Sequence, residues 1–243
     1  MRSQNLLYLS LAIVFLFYIL PLLFAFFKLD LGKIFVEMDA ITRAIFLSVT
    51  TATFSTLISL FIGVPSAYIL SRRDFPGKSV VETFLDVPVV IPPVALGTLF
   101  LVLFSETQVF SGILFTPYAI IVAQLAVVTA IILRLMKTVF DQIDVSYDYV
   151  ARSLGYTPTE VFLKVDLPMA KNGIISSAIL AWTRAAGEFG ATIVLAGASK
   201  NVETLPISIY LKLSVADISG ALISVFILVG IGIAAISAIK RLG

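Results

Sequence analysis

Six long apolar segments, separated by shorter polar stretches, dominate the pattern along the chain. They cover residues 6–27, 44–70, 85–104, 117–139, 173–197 and 217–239. Each is close to the roughly 20 residues that a helix needs to cross a bilayer. The pattern therefore predicts an all-α integral membrane protein with six transmembrane helices. The first run is too long for a signal-peptide core and no small-residue cleavage site follows it, so we interpret it as a retained helix.

The distribution of positive charge predicts the orientation of these helices. An even number of spans places both termini on one side, and cytoplasmic loops carry an excess of Lys and Arg. With the N-terminus inside, ten of the 17 Lys and Arg residues fall in cytoplasmic segments and five fall outside. The other two, Arg134 and Arg184, lie within predicted helices. The count predicts cytoplasmic N and C termini and a multi-pass protein of the plasma or inner membrane.

Composition narrows the class of function. Charged residues make up 13% of the chain, against about 25% in a typical soluble domain. The sequence has no Cys and no His, which removes thiolate and imidazole catalysis and nearly all zinc sites. The net charge of +2 is too small to indicate nucleic acid. An intramembrane enzyme is disfavoured, because the sole mid-span carboxylate, Glu188, lies four residues from Arg184.

Three prolines interrupt the third apolar segment, at Pro88, Pro92 and Pro93. Proline lacks an amide donor and collides with the preceding turn, so an ordinary helix does not continue through this run. In lipid, a broken helix persists only where protein or a wet cavity satisfies the freed carbonyls. The break is either a kink at the membrane boundary or part of a pathway lined by Pro92 and Pro93, and the pattern leaves both open.

Two charges of opposite sign, Arg184 and Glu188, fall in the middle of the fifth segment. A spacing of i, i+4 places them on one face of a helix, where they can share an ion pair. One interpretation is that they neutralise each other and hold neighbouring helices in register. The other is that they border a pathway in which the forked guanidinium of Arg184 suits an oxyanion.

The longest polar stretch, about 140–171, carries helix start and stop signals. Ser146 is predicted to cap a short helix from Tyr147 to Leu154. Gly155 then stands where a residue of left-handed conformation ends a helix. The stretch lies on the cytoplasmic side in the predicted topology.

A second short helix is predicted directly after this glycine. Thr157-Pro158-Thr159-Glu160 is a capping box with proline at the first helical position. We expect the helix to end near Leu167-Pro168. A simple connection between two spans needs only a few residues, so two capped helices in about thirty residues favour a surface that docks a partner protein.

This loop resembles the signature of ABC importer permeases: Glu-Ala-Ala, three residues, Gly, nine residues, an apolar residue, one residue and Leu-Pro. Here Tyr149-Val150-Ala151, Gly155, Val165 and Leu167-Pro168 keep that spacing. Tyr149 and Val150 stand where the family has Glu and Ala. The resemblance implies the type I permease fold and a coupling helix that sits in a cleft of a separate ATPase. The implied docking residues are Tyr149, Val150, Ala151, Arg152, Gly155, Glu160, Leu167 and Pro168.

Three further segments resemble the branch of these permeases that moves tetrahedral oxyanions. They are Val87–Gly97, Arg184–Thr192 and Thr204–Tyr210. The form Phe-Gly-Ala-Thr at 189–192 is more similar to molybdate/tungstate permeases than to sulfate or thiosulfate permeases, which are the alternative. The resemblance covers most of residues 44–239, and Pro92, Pro93, Arg184 and Glu188 are the candidate pathway residues.

The resemblance also implies a division of labour. Residues 1–43 form an N-terminal helix and outer loop, and residues 44–243 form the permease core. The implied partners are a second copy of the chain, two ATPase subunits, an external oxyanion-binding protein and membrane lipid. This chain holds no cofactor, metal or catalytic residue, and ATP and Mg²⁺ bind the ATPase.

Two features bear on where the energy comes from. Gly77-Lys78-Ser79 looks like the end of a P-loop, but Arg72 occupies the position of the motif's first glycine. Phosphate binding there is disfavoured, so a separate ATPase is expected. A self-contained channel or secondary transporter is the remaining alternative, and it would not need a docking loop.

Overall fold

The computed structural model describes residues 2–30 and 32–242, and all regular structure within them is helical. The helices are α1 (Arg2–Phe26), α2 (Gly32–Val36), α3 (Met38–Arg72), α4 (Lys78–Val90), α5 (Pro93–Glu106), α6 (Gln108–Ser111), α7 (Pro117–Asp141), α8 (Ser146–Ser153), α9 (Pro158–Val161), α10 (Leu167–Met169), α11 (Lys171–Ala186), α12 (Gly190–Ala196), α13 (Leu205–Ser214) and α14 (Ile218–Leu242). A π-helical turn, Phe162–Asp166, joins α9 to α10.

Four helices in the described part of the chain are long and apolar enough to cross a membrane: α1, α3, α7 and α14. α4 and α5 form a pair bent by 112°, which raises the number to five if the pair is one span. The predicted segment 173–197 is divided between α11 and α12. The predicted interruption of the third segment and the all-helical membrane fold are therefore confirmed, whereas the division of the fifth segment was not predicted.

The main contact between spans joins α3 to α7. One face of α3 buries small residues at intervals of about four, which lets the two backbones approach closely. Two hydrogen bonds between side chains cross this contact, Ser55 to Gln124 at 3.0 Å and Ser59 to Thr129 at 2.8 Å. The buried small residues of α3 are Ala44, Ser48, Thr51, Ala52, Ser55, Thr56, Ser59, Gly63 and Ala67.

α7 is shared by two separate buried clusters. Its second half, including Ile132, Met136 and Phe140, packs with α3 and with the alanines of α11. Its first half, including Ile120, packs with α12, including Leu195. α7 therefore holds α3, α11 and α12 in one core.

α1 lies outside this core. The described side chains of α1 face outward almost all round, with Phe17 71% and Phe24 73% exposed. At its far end, Phe26 packs edge-on against Phe226 of α14, with 6.0 Å between ring centroids. The exposed apolar surface is what a helix in contact with lipid or with another membrane chain requires.

Ion pairs hold the segment between α1 and α3 against the turn between α13 and α14. Lys33 of α2 lies 2.5 Å from Asp217, and Lys212 pairs with Glu37. The pKa of Asp217 is lowered, chiefly by the hydrogen bond from Lys33. These contacts fasten α2 and the start of α3 to the last two helices.

Candidate functional site

In the loop between α7 and α11, the first helix, α8, ends in a turn at Gly155 as the sequence predicts. Gly155 has φ +90°, in the left-handed region that favours glycine. The Tyr156 amide donates to the Ala151 carbonyl at 3.2 Å and the Gly155 amide donates to the Arg152 carbonyl at 3.0 Å. These two bonds are those of a Schellman motif, which satisfies carbonyls that a helix end leaves free.

The start of that helix differs from the prediction. α8 begins at Ser146, and its N-cap residue is Val145. The side chain of Ser146 does not cap the helix. Instead, the Ser146 amide donates to Asp144 Oδ1 at 2.8 Å, and this bond lowers the pKa of Asp144. An ionised carboxylate is the stronger acceptor for an amide at a helix start, so Asp144 takes the role assigned to Ser146.

The predicted capping box is confirmed. The Glu160 amide donates to Thr157 Oγ1 at 3.3 Å, and the Thr157 amide donates to Glu160 Oε2 at 3.0 Å. Lys164 adds an ion pair with Glu160 at 2.8 Å. The pKa of Glu160 is lowered to about 2 by the Lys164 hydrogen bond first and by the Thr157 amide next.

The helical run that begins with α9 ends at Met169, next to the predicted end at Leu167-Pro168, and only the turn residue Ala170 separates it from α11. After α9 the chain continues through the π-helical turn Phe162–Asp166 and α10, and α11 begins at Lys171. In the turn, the Leu167 amide donates to the Phe162 carbonyl, five residues earlier. Proline has no amide to donate, and a π-helical turn absorbs that gap without ending the helical course. The loop between α7 and α11 is therefore connected to α11 by a nearly unbroken helical segment.

The outer face of α8 is apolar although the loop is polar. Tyr149 is 69%, Val150 59% and Leu154 75% exposed, whereas Ala151 is buried. Arg152 and Gly155 are also exposed, Glu160 and Leu167 are half-buried, and Pro168 is exposed. Adjacent exposed apolar side chains on a loop are typical of a protein-binding surface. We call Tyr149, Val150, Arg152 and Leu154 the α8 face.

A buried charge cluster beneath this face escaped the sequence analysis. Arg72, the last residue of α3, lies 3.2 Å from Asp166 Oδ1 and 3.7 Å from Asp148 Oδ2. The pKa of Asp148 is raised by burial and by the negative charge of Asp166, and Arg72 offsets only part of this. The sequence showed Arg72 only as one more cytoplasmic positive charge, and Asp148 and Asp166 lay in a stretch expected to be solvated.

The two broken spans meet at their breaks. Pro92 is the N-cap of α5 and Pro93 its first residue, and Ile91 before them is extended. A Cβ added to Gly190 would lie 3.1 Å from the Pro93 Cβ, and one added to Gly97 would lie 2.8 Å from the Ala191 Cα. Both glycines are therefore required by close approach of α5 and α12.

The predicted ion pair is present, but not within one continuous helix. α11 ends at Ala186, so Glu188 lies in the break before α12. Arg184 Nη1 is 2.5 Å from Glu188 Oε2, although the angles are not those of a hydrogen bond. Glu188 Oε1 accepts a hydrogen bond from the Ala191 amide at 3.0 Å. The carboxylate caps α12, which is why the helix restarts here.

Arg184 and Glu188 differ in accessibility. The side chain of Arg184 is 36% exposed, whereas that of Glu188 is 1% exposed. The side chain of Arg184 is therefore partly accessible to a ligand, while the carboxylate is enclosed. The structure brings Arg184, Glu188, Pro92 and Pro93 to one region, because Gly190 links the two breaks.

Gln124 is a second residue that the sequence analysis missed. It is buried in α7 and donates through Nε2 to the Ala185 carbonyl at 3.0 Å, while its Oε1 accepts from Ser55. It thus connects α3, α7 and the end of α11, one residue after Arg184. A polar residue in an apolar segment was the available signal.

Comparison with known proteins identifies the class. The family model described as binding-protein-dependent transport system inner membrane component matches residues 59–242. The chain belongs to this family, and it is an integral membrane protein.

Two relatives are informative about the branch. The molybdate/tungstate transport system permease protein WtpB of Thermococcus kodakarensis is 39% identical over 165 residues, which cover 68% of this chain and 65% of that protein. The probable molybdenum ABC transporter permease protein of Haloferax volcanii is 33% identical over 237 residues, covering 95% and 87%. The matched part thus spans just under two thirds of the first relative.

Solved structures show the same fold at low identity. A bacterial ABC transporter that imports alginate aligns over 99% of this chain and 96% of its own, with a TM-score of 0.77 and 16% identity. The MetNI methionine ABC transporter aligns over 85% and 95%, with a TM-score of 0.70 and 19% identity. The chain therefore has the fold of ABC importer permeases.

Proposed function

We propose that this chain is the permease subunit of an ATP-driven importer that moves a tetrahedral oxyanion, molybdate or tungstate, by alternating access. The observation that supports this substrate is the similarity to a molybdate/tungstate permease, 39% identical over 68% of this chain, and to a probable molybdenum permease, 33% identical over 95% of it. The permease has no catalytic role, and ATP and Mg²⁺ act in a separate ATPase.

The chemistry of the breaks supports an anionic substrate. Arg184 presents a partly open guanidinium beside two interrupted spans, and its planar fork can donate two hydrogen bonds to an oxyanion. Glu188 holds the other side of that guanidinium and lowers the local positive potential. A site of moderate attraction suits transport, because an anion that binds too tightly would not leave.

The α8 face supports docking of the ATPase. Its exposed tyrosine, valine and leucine would be covered by a cytoplasmic subunit, and Gly155 and the capping box fix the turn that presents them. Termini in the cytoplasm would put this face on the same side as the ATPase. Two ATPase subunits would serve two copies of the permease.

The other partners follow from the exposed surfaces and from the solved relatives. The apolar outside of α1 suits lipid or a second copy of the chain, with residues 1–43 as a peripheral element and 44–243 as the core. One alginate ABC transporter structure is a complex with a periplasmic protein that holds the sugar. By analogy an external oxyanion-binding protein delivers substrate here.

The test is purification of the tagged chain from its native membrane in mild detergent, with mass spectrometry of what accompanies it. We expect an ABC ATPase, and an oxyanion-binding protein when the complex is trapped with substrate. A tagged Gly155→Val chain is the matched control, because it alters the docking turn and no membrane helix. A chain that purifies alone at every detergent strength would contradict the proposal and favour a self-contained transporter.

A further inference from the structure

Arg72 is buried although it ends a helix beside a polar loop. Its side chain is 5% exposed, whereas the adjacent Arg73 is exposed. A basic side chain at the end of a membrane helix ordinarily extends into water at the interface. A guanidinium that turns inward instead must be held by partners that replace its hydration.

Those partners belong to three different parts of the loop between α7 and α11, residues 142–170, which we call the docking loop. Arg72 donates to the Ile143 carbonyl at 2.9 Å, just after α7. It donates to Asp166 Oδ1 at 3.2 Å, in the π-helical turn, and its Nε lies 3.7 Å from Asp148 Oδ2, in α8. One side chain of α3 thus fastens the beginning, the first helix and the last turn of the loop.

An aromatic contact reinforces this attachment one turn earlier. Tyr68 of α3 packs against Phe140 of α7 with 5.4 Å between ring centroids, and against Phe162 of the π-helical turn with 4.7 Å. Apolar packing and ion pairing therefore act on the same loop from the same end of α3.

α3 also contacts α11, which is the first part of the broken fifth segment. Trp182 Nε1 donates to Thr53 at 3.0 Å, and Gln124 connects Ser55 to the Ala185 carbonyl. Arg184 lies between Trp182 and Ala185. A displacement of α3 is thereby communicated to the end of α11 by side-chain contacts, in addition to the covalent route through the π-helical turn.

We propose that Arg72 is the joint by which movement of the docking loop moves α3, so that the loop and the inner end of α3 travel as one body. This inference rests on the proposed function, since it presumes an ATPase that moves the loop. Arg72 is a positioning residue, because it acts through Asp148 and Asp166 and touches no substrate.

The first test substitutes Arg72→Lys in the complete transporter reconstituted in proteoliposomes. Lysine keeps the charge, but its single ammonium lacks the rigid planar fork through which Nη2 and Nε of Arg72 face partners on different parts of the loop. We expect ATPase binding and ATP hydrolysis to persist while oxyanion imported per ATP falls about tenfold. Arg73→Lys is the matched control and should leave the ratio unchanged. An unchanged ratio in Arg72→Lys would overturn the proposal.

A second test needs no change at Arg72 and covers the case in which Arg72→Lys fails to fold. Arg73 and Val145 line one cavity of about 300 Å³ between α3 and α8, and the chain has no cysteine of its own. Arg73→Cys and Val145→Cys can be joined by a short cleavable linker. If the two elements travel together, linked protein transports as well as the same protein after cleavage. Transport that is lost on linking and restored by cleavage would overturn the proposal.

Failure of this inference is distinguishable from failure of the proposed function. If the unsubstituted chain neither binds an ATPase nor shows ATP-dependent import, the proposed function has failed. If the unsubstituted chain imports normally and Arg72→Lys keeps its ratio of import to hydrolysis, only the joint is wrong.

Discussion

The docking loop and the broken spans are two irregular regions with different origins. The helix ends within the loop are fixed by local contacts: the bonds at Gly155 and the Thr157–Glu160 box join residues within five positions of one another. The breaks are held by tertiary contacts, in which Gly97 and Gly190 allow α5 and α12 to touch. The comparison teaches that the turns of the loop are encoded locally, whereas the contact between the broken spans depends on the assembled bundle.

Gly97→Leu should have the largest effect, because even a Cβ there would lie 2.8 Å from the Ala191 backbone. Overpacking of a core costs about 1–3 kcal/mol, and a contact with backbone gives little room for relief. We expect loss of folded permease, measured by thermal unfolding in detergent. Gly230→Ala in α14 is the control, since nothing lies within 4 Å of its Cβ position. Equal stability of both variants would show that the α5–α12 contact is not tight.

Arg184→Ala should come next. It leaves the enclosed Glu188 without its cation, but water can reach the space left by the partly exposed Arg184, so the loss of stability is smaller than in a fully buried pair. We expect import to fall strongly while ATPase binding by the α8 face is retained.

A double variant separates structure from transport at this pair. Arg184→Gln with Glu188→Gln removes both charges, and the glutamine carbonyl can still accept from the Ala191 amide. We expect near-normal thermal stability. We expect import to be at least about tenfold lower, because the positive charge of Arg184 that would attract the oxyanion is removed. Import that recovers fully in the double variant would mean that the pair is purely structural.

Gly155→Val should act on the loop alone. A β-branched residue at φ +90° is strained by about 1–3 kcal/mol, and open space around the site leaves this backbone strain as the sole cause. We expect an intact membrane bundle with lost substrate-stimulated ATP hydrolysis. Gly155→Asn should be milder, because Asn tolerates the left-handed region. Normal coupling in Gly155→Val would contradict the role of the turn.

Acidification should give the smallest effect, confined to the capping box. The folded pKa of Glu160 is lowered to about 2 from 4.5, so its contribution is present above pH 4.5 and is lost as pH falls toward 2. The protection factor of the Thr157 amide against hydrogen exchange, relative to the intrinsic rate at each pH, should fall over that range. Glu160→Gln should exchange faster than the parent at neutral pH and lack the transition. A transition that persists in Glu160→Gln would assign it to another carboxylate.

The same contrast explains what could be predicted from the sequence. The predictions at Gly155, Pro158 and the capping box were correct because they depend on local sequence. The apolar segments were found because length and hydropathy are enough to identify them. The break at Gly187–Phe189 was missed. An apolar run with one ion pair does not show that Glu188 accepts a hydrogen bond from the Ala191 amide at the start of α12. The early start of α3 at Met38, ahead of the predicted residue 44, was missed because Asp39 and Arg43 looked like loop residues.

The partners of Arg72 could not be predicted for a related reason. Asp148 and Asp166 are 18 residues apart in sequence and Arg72 is on another helix, so only the folded chain brings them within 4 Å of its guanidinium. Gln124 stands out in the sequence as a polar residue among apolar ones, but nothing in the sequence indicates its partners on α3 and α11. Residues that join distant elements are those for which a single sequence carries least information.

The most direct test of the central claim is uptake into proteoliposomes that contain the permease, its copurified ATPase and its binding protein. Radiolabelled tungstate or molybdate is supplied outside and ATP inside, with sulfate in excess as competitor. The account predicts uptake that requires ATP, the ATPase and the binding protein, and that sulfate does not displace. Uptake by the permease alone, without ATP, would contradict it.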